Sequence, residues 1–114
     1  WSCFKEPEDE AFKGQPLIAH FTALDRGETR LGVAGKIMDA AKVRACLDAG
    51  ADFVLPGRAA ILHHDFAARA IADPDFACVS NPVSREHLRA EGLGEAFIGY
   101  MATWPGFVEA PVPT

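Results

Sequence analysis

Two short apolar runs, each followed by a glycine and a basic residue and set one helix-length apart, constrain this chain most. The first, Leu31 to Ala34 within a short strand expected over Arg30 to Ala34, gives way to Gly35-Lys36, and the second, Phe53-Val54-Leu55, passes through Pro56 to Gly57-Arg58. Between them Asp39 is placed to cap a helix whose inner seam is Ala40, Val43, Cys46 and Leu47, with Gly50 closing it. Three consecutive apolar residues without alternation are the pattern of a parallel strand covered on both faces. Strand, helix and strand make a βαβ unit, so the expected class is α/β.

The flanks read less regularly. Residues 1–15 are rich in charge and punctuated by Pro7 and Gly14, which predicts an irregular lead-in. Pro16 suits the first turn of a helix, whose apolar face is Leu17, Ile18, Phe21 and Leu24 and whose end is expected near Gly27. After Gly57-Arg58 a short helix over Ala59 to Leu62 is predicted, interrupted at His63-His64. Asp65 is then placed to cap a second helix through Phe66 and Ile71 to about Ala72, stopped by Asp73-Pro74. The βα units thus occupy residues 16–75, and 76–114 form a C-terminal extension. Within it Ser84 to Glu91 reads as helix, while Gly92, Gly94, Gly99, Pro105, Pro111 and Pro113 break up the tail.

Composition excludes several function classes. With 49% apolar and 24% charged residues among 114, the chain can build a core and is sized for one small domain. A net charge of −5 with no basic stripe argues against a nucleic-acid backbone as partner. No apolar run approaches the ~18 residues of a membrane span. The acidic start, with Glu6, Glu8, Asp9 and Glu10, is unlike a signal peptide, so a cytoplasmic location is expected. Because Trp1 stands where a methionine is usual, the chain reads as processed or as a piece of a longer protein. Cys3, Cys46 and Cys78 are odd in number and lack C-x-x-C spacing, so reduced, structural thiols are expected, with no disulfide framework and no zinc site.

The two glycine turns are where chemistry is expected. Ligands of α/β proteins sit at the C-terminal ends of parallel strands, and Gly35 and Gly57, 22 positions apart, would stand side by side there. A glycine has no Cβ, so a phosphate oxygen can approach the N–H groups of Gly35 and Lys36 on one strand and of Gly57 on the next. Arg58 adds a planar fork of donors suited to phosphate. Lys36 offers either its ammonium or its backbone alone.

At these residues the sequence resembles a known family. The stretches "LGVAGKI…DAAKVRACLDAGADFVLPGRAAI" and "FKEPEDEAFKG" are similar to the C-terminal part of the NADH:flavin oxidoreductases, the old yellow enzyme family. The resemblance covers Trp1 to about Asp75. It implies a C-terminal fragment of an FMN-bearing (β/α)₈ TIM barrel, with Arg30 to Ala34 as strand 7 and Ala51 to Pro56 as strand 8. FMN is the cofactor it implies, its phosphate held by Ala34, Gly35, Lys36, Gly57 and Arg58. Family loops often carry two glycines where this chain has Ala34-Gly35, and an alanine still supplies its N–H. The family's groups around the flavin ring and its proton donor come from earlier strands, so catalytic residues are expected outside this chain. The whole enzyme would move a hydride from NAD(P)H through the flavin to a small acceptor, and the piece alone would be inactive. Two other readings stand beside it. One is the phosphate-gripping part of an isomerase, aldolase or lyase barrel; the other is a non-catalytic half-barrel that associates, as a homo-oligomer or otherwise, through an open strand edge.

The remaining candidates read as structural. His63 and His64 are adjacent and point about 100° apart on a helix, which disfavours a shared metal. His20 reads as a surface or packed residue, His87 as part of a solvated helix face, and Cys46 as a small core residue. Trp104-Pro105-Gly106-Phe107 suits an oligomer contact or a cover for the barrel's bottom.

Overall fold

The computed structural model describes residues 2–111 and shows a mixed α/β chain with a two-stranded parallel sheet; Trp1 and Pro113 lie outside the described residues. A 3-10 turn at Glu10–Phe12, capped by the Asp9 carboxylate through the Ala11 N–H, is the regular part of the lead-in. Six helices and two strands follow: α1 (Leu17–Thr22), β1 (Gly32–Ala34), α2 (Ala40–Asp48), β2 (Phe53–Leu55), α3 (Gly57–Leu62), α4 (Phe66–Ala72), α5 (Arg85–Ala90) and α6 (Glu95–Met101). The expected βαβ unit is present. β1 and β2 pair in parallel with Gly32 opposite Phe53 and Ala34 opposite Leu55, and α2 crosses between them. Local chemistry explains the crossover: Asp39 Oδ1 accepts from the Lys42 N–H, and Gly50 leaves the helix at φ +111°, a conformation that L side chains rarely adopt.

Several boundaries differ from the sequence expectation. Pro16 is the N-cap of α1, and that helix stops at Thr22, well short of Gly27. Of its expected apolar face only Ile18 is buried, while Phe21 and Leu24 are exposed. α3 begins at Gly57 rather than Ala59, which makes the second glycine the first residue of a helix. Asp65 does stand at the start of α4, but its carboxylate pairs with Arg69 Nε at 3.0 Å and caps no backbone N–H. The tail is more ordered than its glycines suggest, since α6 forms with Gly94 as N-cap and Gly99 inside it. Burial of Ile98 and Met101 offsets the roughly 1 kcal/mol that an interior glycine costs.

The core is divided. Ile18, Ile37, Cys46 and Ala51 hold α1 and α2 to the sheet. Ala40, Ala59, Phe66 and Ala70 join α2, α3 and α4. Leu62, Val83, Leu88, Ile98, Met101 and Phe107 tie α3 to α5 and α6. The division leaves the chain elongated, at 56 × 34 × 24 Å with a radius of gyration of 17.0 Å, where a globule of this length would have about 13 Å. One sheet face is correspondingly bare. Phe53 and Leu55 are 46% and 52% exposed, which corrects the expectation that β2 is covered on both sides; β1 is its one strand partner among the described residues.

Backbone bridges bring the extension to the strand ends. Ala40 N–H donates to the Phe76 carbonyl and Cys78 N–H to the Met38 carbonyl, both at 2.9 Å, so residues 76–78 run antiparallel to 38–40. Asn81 is thereby carried to the site described next.

Candidate functional site

A pocket of about 750 Å³ opens at the C-terminal ends of β1 and β2. One wall is Ala34 to Met38, following β1; the other is Leu55 to Arg58, following β2; Asn81 closes the rim. All five residues expected to hold a phosphate (Ala34, Gly35, Lys36, Gly57 and Arg58) therefore line one space. Asn81 was missed, because its approach depends on the bridge of residues 76–78 to 38–40 and leaves no mark in local spacing.

The first turn is built by two successive left-handed residues. Gly35 has φ +106° and Lys36 φ +56°. Glycine adopts such a conformation freely, whereas a side-chain-bearing residue pays about 1–2 kcal/mol for it. Strain of this kind collects where a backbone must present its groups to a ligand. The second turn needs no strained backbone. A Cβ added at Gly57 would meet nothing within 4 Å, so glycine leaves open volume at the pocket wall. The N–H groups of Gly57 and Arg58 head α3, where no preceding helical carbonyl can accept them.

Charge in the pocket is one-sided. No Asp or Glu lines it, and neither Lys36 nor Arg58 has a carboxylate partner among the described residues. In a chain of net charge −5, two exposed cations without carboxylates beside one pocket set a local potential that favours an anion. The Arg58 guanidinium lies over the Trp104 ring, with Cζ 5.2 Å from the ring centroid. Trp104 thus touches a residue of the pocket's lining.

A second polar cluster lies between α3, α4 and α5. His87 is half-buried rather than on a solvated face: its Nε2 donates to the Leu62 carbonyl at 2.7 Å, and its ring meets that of His63 edge to face. His63 is buried, its Nε2 accepts the Val79 N–H at 3.1 Å, and its Nδ1 has no hydrogen-bond partner. Burial holds the His63 pKa below the usual histidine range. Glu91 accepts from both the backbone N–H and Nδ1 of His64, which lowers the Glu91 pKa and raises that of His64. Ligand atoms of His63, His87 and Glu91 come within 4.8 Å of one another, as do those of His64, Asp65 and Glu91. The first trio is poorly prepared for a cation: with Nε2 accepting from Val79, the neutral His63 ring carries its proton on Nδ1. The cluster instead joins three helices through hydrogen bonds.

The other candidates are structural. His20 Nε2 bonds to the Phe12 carbonyl at 3.1 Å. Cys46 is fully buried with its Sγ 3.8 Å from that of Cys3, and burial followed by this thiol contact pushes its pKa up to about 11. All three cysteines are free, and no described helix is long and apolar enough to cross a membrane. Comparison with protein-family models, curated proteins and solved structures finds no match to this chain.

Proposed function

We propose that this chain is the FMN-phosphate-binding portion of a flavin-dependent NAD(P)H oxidoreductase built on a (β/α)₈ barrel. The observation that carries the reading is the convergence of both glycine turns, Lys36 and Arg58 on one pocket without a lining carboxylate. The donor set fits a phosphate dianion: backbone N–H groups at Gly35, Lys36, Gly57 and Arg58, a planar guanidinium fork and an ammonium. The bare face of β2 supports the barrel part of the reading. In a closed barrel Phe53 and Leu55 would meet side chains of other strands in the interior, and in this chain they are half exposed.

When bound, the flavin supplies hydride transfer between NAD(P)H and a small acceptor. The residues of this chain bind and orient its phosphate. Gly35 and Gly57 allow close approach of the oxygens, Arg58 offers two parallel N–H donors, and Lys36 adds positive charge at the rim. None of these groups abstracts or delivers a proton, so residues elsewhere in the enzyme tune the ring and protonate the product.

The test is the visible spectrum of the complete polypeptide that contains this chain, purified without added cofactor and then titrated with FMN. Near-equimolar FMN supports the reading. Absence of flavin binding, with a sugar phosphate competing against inorganic phosphate for the pocket, would assign the site to an isomerase, aldolase or lyase barrel instead.

A further inference from the structure

We propose that Trp104 is a positioning residue for phosphate recognition, holding the Arg58 guanidinium by its flat face so that its N–H edge stays free for the anion. The inference rests on the phosphate reading of the pocket. A guanidinium has two separate binding surfaces: its faces stack on aromatic rings, and its rim carries the donors. The Arg58 Cζ lies over the Trp104 ring, 5.2 Å from its centroid, and none of the ion pairs among the described residues occupies the donors of this guanidinium.

The ring itself is anchored. Trp104 is half-buried and meets Tyr100 and Phe107 edge-on, with centroids 6.1 and 6.3 Å away. Phe107 is buried in the same cluster as Leu62 of α3, the helix that carries Arg58. One core cluster therefore fixes both partners of the stack. An unstacked, exposed arginine samples many rotamers and loses that freedom when it grips an anion. The stack removes part of this loss in advance, which is preorganisation.

The experiment measures FMN and riboflavin affinity in the complete polypeptide for unmodified protein, Trp104→Phe, Trp104→Leu, Arg58→Ala and the Arg58→Ala/Trp104→Leu double variant. Leucine keeps apolar bulk but has no ring quadrupole, so Trp104→Leu is expected to weaken FMN about two- to fivefold, the span of an exposed cation–π contact. Trp104→Phe should stay within about twofold, riboflavin should be unaffected by either, and Trp104→Leu should have no further effect once Arg58 is alanine. Equal weakening by Trp104→Leu in both backgrounds overturns the proposal and leaves Trp104 as a support of the fold. An Arg58→Ala variant with unaltered FMN affinity instead removes the phosphate reading itself. Should Trp104→Leu fail to fold, the Arg58 side-chain proton shifts in the unmodified protein decide. Upfield displacement by the indole ring current supports the stack, and random-coil values overturn it.

Discussion

Ile98→Ala tests whether the C-terminal extension is an integral part of the core. Ile98 is fully buried on α6 among Leu62, Leu88, Met101 and Phe107. The substitution deletes three carbons, and at about 0.8 kcal/mol per buried CH₂ the transfer loss alone is about 2.4 kcal/mol. The cavity left behind raises the expectation into the range of about 2–5 kcal/mol, a large part of a small domain's stability. The neighbouring Phe97 is 43% exposed and stacks on Tyr100 with centroids 6.0 Å apart. Phe97→Ala is therefore expected to cost less than Ile98→Ala, because a ring already open to solvent gives up only part of its burial, together with the pair contact, and leaves no sealed cavity. Urea unfolding followed by far-ultraviolet circular dichroism gives both numbers, provided the slope with denaturant stays constant. A Phe97→Ala loss equal to or larger than that of Ile98→Ala would refute the register of α6 and its docking on α3.

Other expectations follow from the same structure. Gly50 and Gly14 both have φ above +100°, but only at Gly50 would a Cβ meet another atom, Thr22 Cγ2 at 2.8 Å. Gly50→Ala should therefore lower the thermal midpoint more than Gly14→Ala, by a strain of about 1–2 kcal/mol plus the clash. The His64–Glu91 pair should stabilise most between the ordinary values of its partners, 4.5 and 6.5. The raised His64 pKa contributes below 6.5 and is lost as pH rises through the folded value; the lowered Glu91 pKa contributes above 4.5 and is lost as pH falls through its folded value. The stability gap between unmodified protein and Glu91→Gln, followed by urea midpoint against pH, should be widest in that window; a gap that keeps growing above pH 8 would contradict the pairing. Cys46, with its thiol pushed up to about 11, should resist alkylation at pH 8 until the chain unfolds. Rapid labelling in the native state would show that it is not sealed in the core.

The β1–α2–β2 unit was legible because its signals are local. Asp39 caps, Gly50 breaks, and the apolar runs between them fix strand and helix within a few residues of one another. The pocket followed from that unit, since Gly35 and Gly57 stand at the ends of adjacent strands. What sequence could not show lies in contacts across long separations. Gly94 and Gly99 look like breakers, yet α6 forms around them because Ile98 and Met101 reach a cluster with Leu62, some forty residues earlier in the chain. His87 looks solvated by its charged neighbours Arg85, Glu86 and Arg89, but the Leu62 carbonyl draws it inward. The opposite error occurred at Phe21, Leu24, Phe53 and Leu55. Helical spacing marks the first two as inward-facing and an unbroken apolar run the other two, yet all four are exposed among the described residues.

The most direct measurement is the effect of Arg58→Ala on FMN compared with riboflavin in the complete polypeptide, by equilibrium titration. Riboflavin differs in lacking the phosphate, so it reports whether Arg58 acts on that group alone. We expect FMN to weaken by about 1.5–3 kcal/mol, the worth of hydrogen bonds to a charged group, with riboflavin nearly unchanged. Arg58→Lys should recover only part of the loss, because an ammonium cannot reproduce the two-donor geometry. Equal weakening of FMN and riboflavin would mean that Arg58 supports the fold or touches the ring, and the assignment of the pocket to a phosphate would fail.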